Sequence, residues 1–158
     1  MSRDLVVHFI KDLKARHSEI RSTQYNNVSI FVRWSDKEFK EEKAQEFLEI
    51  VGDINPVSNK IEIDLRDNCF RDHHMKAIAN MIKRSNELKE LTLWLPANYI
   101  TDKGAADLFA CLDNLKKLHS LTVNLEWNFR ISNKSMQFLC SKIRQLAQLK
   151  YLRVFMSK

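Results

Sequence analysis

An asparagine returns at positions 68, 98 and 128, and each ends a similar stretch: IDLRDN from Ile63, LWLPAN from Leu93 and VNLEWN from Val123. Repetition at a fixed interval of this length marks one supersecondary unit copied along a chain, with each copy needing its neighbours to bury its apolar side. Superimposing the asparagines aligns Ile61, Ile63 and Leu65 with Leu91, Leu93 and Leu95, and with Leu121, Val123 and Leu125. Alternation of this kind predicts short strands with one face toward a core. An apolar residue follows each asparagine (Phe70, Ile100, Ile131), and then apolar residues at helical spacing: Ile78, Met81, Ile82; Leu108, Cys111, Leu112; Leu139, Ile143, Leu146. The class is therefore α/β, with strand, turn and helix in every unit.

A degenerate first unit has Val28, Ile30 and Val32 as its strand and Phe47, Leu48 and Val51 on its helix, without the asparagine. Parallel strands are predicted near 28–33, 61–66, 91–96 and 121–126, with a short fifth near 152–156. The chain must leave each strand by a turn whose backbone groups no sheet or helix can pair. A buried asparagine donates and accepts at once, so Asn68, Asn98 and Asn128 read as a structural ladder joining neighbouring turns.

With 158 residues, 44% of them apolar, and only two glycines and two prolines, the chain can fill one core and offers no linker. A single domain over 1–158 is expected, with 28–156 forming about four and a half βα units. Leu5, Val6, Phe9, Ile10 and Leu13 share a helical face, which predicts an N-terminal capping helix over 1–22. This segment also resembles a mitochondrial presequence, although Asp4, Asp12 and Glu19 count against one. Cys69, Cys111 and Cys140 lack CxxC spacing and read as reduced thiols, and no apolar run is long enough for a transmembrane segment. An intracellular protein is expected, with cytoplasm and mitochondrion both open.

The approaches to the strands are LKELTL from Leu88, LHSLTV from Leu118 and LKYLRV from Leu149, and the first two are separated by a stretch that includes NYITDKGAADLFACL, from Asn98 to Leu112. Over about residues 28–156 these motifs resemble the leucine-rich repeat family, in its ribonuclease-inhibitor-like, long-repeat branch. The resemblance implies a short right-handed βα solenoid arc with the parallel sheet on its concave side and helices on its convex side. It also implies binding of other proteins.

Chemistry is sparse. No Gly-rich phosphate loop, HExxH or GxSxG occurs, so no catalytic residue and no cofactor is assigned, and an enzyme is not expected. Cys69, His73 and His74 are the nearest approach to a metal set, but they lack a second ligand pair and read as a turn and a polar helix start. If Ile63, Leu93, Val123 and Val154 face the core, then Asp64, Trp94, Asn124 and Phe155, with Phe31 in the first unit, lie on the opposite face of the sheet. Large aromatics on a face that meets water suggest a covered surface. Leu152, Val154 and Met156 belong to a strand after which no helix follows, an open end expected to dock a partner.

These features predict a non-enzymatic protein–protein interaction module, an accessory or scaffold subunit of a larger intracellular complex. The competing reading is binding of RNA, or of an anionic membrane surface, through the basic C-terminal third. Residues 114–158 carry nine bases and one acid, Glu126, and the candidate patch is Lys134, Lys142, Arg144, Lys150 and Arg153.

Overall fold

The computed structural model describes residues 4–7, 18–19, 24–32 and 41–157. Six strands, β1 (Asp4–Val7), β2 (Gln24–Phe31), β3 (Asn55–Asp64), β4 (Glu90–Trp94), β5 (Ser120–Asn124) and β6 (Tyr151–Phe155), form one sheet. Their spatial order is their chain order, and every neighbouring pair is parallel. Four α-helices link β2 to β6 among the described residues: α1 (Glu41–Asp53), α2 (Asp72–Lys83), α3 (Asp102–Phe109) and α4 (Asn133–Ile143), with a 3₁₀ turn, Ala110–Asn114, extending α3. Parallel neighbours need a crossover, and each helix with its loops supplies one.

The alternation in the sequence decides the layers. Val28, Ile30, Ile61, Ile63, Leu91, Leu93, Leu121 and Val123 are all buried, and they meet Phe47, Ile78, Met81, Ile82, Leu108, Cys111, Leu112 and Leu139 from the helices. Burying a side chain of this size contributes about 1.5–3 kcal/mol, so the core is the main source of stability. Consecutive helices pack on one another, and α2 meets α3 so closely that a Cβ on Gly104 would lie 2.8 Å from the Asp72 Cα.

Local chemistry fixes the helix ends. Thr101 and Ser132 cap α3 and α4 by accepting from the Lys103 and Lys134 amides, and the His74 ring accepts from the Arg71 N–H at 2.9 Å. The Arg84 guanidinium closes the end of α1, donating to the carbonyls of Gly52 at 2.9 Å and Ile54 at 2.5 Å. Burial pulls its pKa below the usual arginine value.

The N-terminal segment departs from expectation. A helix running from residue 1 is excluded at Asp4–Val7, which pair in parallel with Asn27–Ile30 as β1. Two adjacent valines favour extended backbone, and the otherwise unpaired edge of β2 supplies the hydrogen bonds. Ser18 and Glu19 are helical, and the rest of the expected capping helix, at 1–3, 8–17 and 20–22, lies outside the described residues. The sheet thus starts one strand earlier than the repeat pattern indicates, and β3 begins at Asn55 rather than near 61.

Candidate functional site

The turns that follow the strands form a rigid edge. Asn98 donates through Nδ2 to the carbonyls of Leu65, Leu95 and Pro96, and its Oδ1 accepts from the Phe70 amide at 3.0 Å. Asn128 repeats the pattern one unit on, with Leu95, Leu125, Glu126 and the Ile100 amide. Asn68 reaches Val32, Leu65 and Arg66. The residue before each asparagine is left-handed: Asp67 at φ 55, Ala97 at 53 and Trp127 at 58. That conformation lets three carbonyls converge on one side-chain amide.

Across the sheet, Phe31, Asp64, Trp94, Asn124 and Phe155 occupy one register row, each paired with the next. Asp64 is nearly buried and takes the Arg66 Nε on both oxygens, at 2.8 and 3.0 Å. Those hydrogen bonds raise the Arg66 pKa, and its guanidinium lies 5.5 Å from the centre of the Trp94 ring. Trp94 and Phe155 lean toward each other across β5, with ring centres 6.1 Å apart and planes at 27°. Asn124 lies between them in the row, nearly buried and bonded to Glu126 through its amide nitrogen at 3.0 Å and through the Glu126 N–H at 2.9 Å. The rings therefore cover one another in part, while Phe155 stays 39% exposed. Beside it, Leu152 is exposed, Val154 and Met156 are half-buried, and β6 pairs only with β5 among the described strands.

The basic residues are spread over the last unit. Lys134 stands in the first turn of α4 and Lys142 in its last, about 12 Å apart along the helix axis. Arg144 caps that far end, Lys150 precedes β6, and Arg153 lies opposite Thr122 on the outer sheet face with Phe155. Lys142 is also engaged, donating to Asp113 Oδ2 at 2.6 Å and resting on the Phe138 ring.

A second aromatic group escaped the sequence reading. Tyr99, Trp127 and Phe129 project from the turn edge, 60%, 54% and 68% exposed. With Asp67, Cys69 and Ala97 they line an open groove of about 520 Å³. They flank the asparagines at the positions immediately before or after, so the thirty-residue register could have found them. The strand alternation, which directs attention to the sheet faces, could not.

Among the described residues no group of three or more His, Cys, Asp or Glu could hold a metal ion. His74 is buried beneath the α2 cap and Cys69 sits in the turn. Burial pushes the Cys111 thiol up to about 12, which keeps it protonated and unreactive. No described helix is long and apolar enough to cross a membrane.

No protein-family model and no curated protein matches the sequence. Solved structures do match the fold. One is a tropomodulin C-terminal domain from Caenorhabditis elegans, with TM-score 0.60, 14% identity, and coverage of 92% of this chain and 81% of that one. Another is the actin-binding site 2 of leiomodin-1, with TM-score 0.57, 21% identity, and coverage of 92% and 76%. At these identities the likeness is one of fold. It corrects the resemblance to the ribonuclease-inhibitor-like branch of the leucine-rich repeat family, since these two similar structures are tropomodulin and leiomodin domains. The motifs that carried that resemblance were the leucine-rich approaches LKELTL, LHSLTV and LKYLRV and the stretch from Asn98 to Leu112. Any stack of strand–turn–helix units needs apolar residues at these strand and helix positions, so they specify geometry rather than kinship. A mitochondrial assembly finds no support in these likenesses.

Proposed function

We propose that this chain is a non-enzymatic protein-interaction module that docks a partner protein on its outer sheet face, at Trp94 and Phe155, beside the β6 edge. The observation that carries the reading is the stacked, partly exposed Trp94–Phe155 pair in an ordered register row. Rigid aromatics on a preorganised surface lose little entropy on binding and often dominate interface energy. Phe31, Asp64 and Asn124 extend the same row, and Leu152, Val154 and Met156 let a partner pack at, or add a strand to, β6. The leiomodin-1 structure is an actin-binding site, which makes actin the first partner to test. In a larger assembly the same face would serve an accessory or scaffold subunit.

The test is a binding titration of the chain against actin, alongside recovery of partners from native extract. The double change Trp94→Ala with Phe155→Ala should weaken binding by more than about 2 kcal/mol, while the isolated fold melts close to the parent. If that variant binds normally and charge reversal at Lys142, Arg144 and Lys150 abolishes binding, the basic residues carry the interaction and the sheet face does not.

A further inference from the structure

We infer that the turn edge carries a second docking site, separate from the sheet face, for a lysine or arginine side chain presented by a protein partner. The groove is walled by the rings of Tyr99, Trp127 and Phe129, and among the described residues lining it Asp67 alone has a charged side chain. Aromatic faces and a carboxylate both attract a cation, the rings through their quadrupole and the acid through its charge. The neighbouring guanidinium of Arg66 is bonded through Nε to both oxygens of Asp64, and Asp67 adds a weaker charge attraction to it. Outside the lining of the groove, the Arg71 guanidinium lies 5.9 Å from the centre of the Tyr99 ring, a cation–ring contact of the kind proposed.

Trp127 supplies an independent observation. Its backbone is left-handed, at φ 58, a region that bulky residues avoid. The ladder requires that conformation at 67, 97 and 127, but it requires no indole, because aspartate and alanine serve at the two equivalent positions. Trp127 and Phe129 pack edge to face, with centres 6.3 Å apart, and both remain more than half exposed, so the pair adds little to the core. A strained position that presents a large ring to water is explained by what the ring contacts outside the chain.

The probe is a capped, dye-labelled hexa-arginine peptide titrated into the full chain and followed by anisotropy. Because the chain carries a net charge of +6, general electrostatics oppose this peptide, and binding must come from a local site. Saturable binding is expected, with shifts of the Trp127 indole and Tyr99 ring resonances in the unmodified protein. Trp127→Gly combined with Asp67→Asn should weaken it at least tenfold, and both replacements suit a left-handed backbone. Trp94→Ala with Phe155→Ala should leave it unchanged, which separates this site from the sheet-face reading. The inference is overturned if hexa-arginine does not saturate, if the Trp127 and Tyr99 resonances stay in place, or if hexaproline or hexaglutamate binds the groove equally well.

Discussion

At the scale of single residues, the three asparagines combine donor and acceptor in one short, neutral side chain. Each one satisfies carbonyls of its own turn and of the preceding unit, and Asn98 and Asn128 also hold the amide of Phe70 or Ile100. Replacing Asn98 by alanine leaves buried backbone groups unpaired and should cost about 1–3 kcal/mol, read from denaturant unfolding. Unchanged stability would remove the ladder from the account of the fold. Gly104 is needed for a different reason, contact. A methyl there meets the Asp72 backbone at 2.8 Å, so Gly104→Ala should destabilise by about 1–3 kcal/mol through a forced separation of α2 and α3. The asparagines were legible because their type and spacing repeat. The left-handed positions before them were not, because Asp67, Ala97 and Trp127 share no chemistry and only the converging carbonyls impose the conformation.

At the scale of elements, a second ladder runs along the helix starts. Asp72 accepts from the Thr101 amide and hydroxyl at 2.8 and 2.7 Å, and Asp102 does the same for Ser132 at 2.8 and 2.6 Å. The hydroxyls of Ser132 and then Ser135, with the Ser132 amide, hold the Asp102 pKa down to about 2. The folded value lies below the unfolded one, near 4, so this contribution is complete above pH about 4 and disappears as pH falls through about 2. Asp102→Asn should therefore melt below the parent at neutral pH and flatten the loss of stability between those limits, as thermal melts across pH will show. The N-terminal strand shows the limit of periodicity. Leu5, Val6, Phe9 and Ile10 fit a helical face, yet Asp4–Val7 are extended. A four-residue stretch satisfies either period, and the open edge of β2 decides.

At the scale of the whole molecule, the sequential parallel sheet gives two surfaces with separate chemistry, an outer face with Trp94 and Phe155 and a turn edge with Tyr99, Trp127 and Phe129. Binding at the outer face should change little as salt is raised, because it rests on apolar burial, whereas cation binding in the groove should weaken. A steep salt dependence at the outer face, measured in the actin titration, would count against the proposed function. The sequence by itself determined the strand–turn–helix unit, the residues facing the core, the asparagine positions and the register row from Phe31 to Phe155. These follow from local period and from the pairing needs of the backbone. Only the tertiary structure decided that Trp94 and Phe155 meet across β5 and that three aromatics gather at the turn edge. Each of those depends on the lateral spacing of units thirty residues apart and on turn conformation, which no stretch of sequence encodes alone.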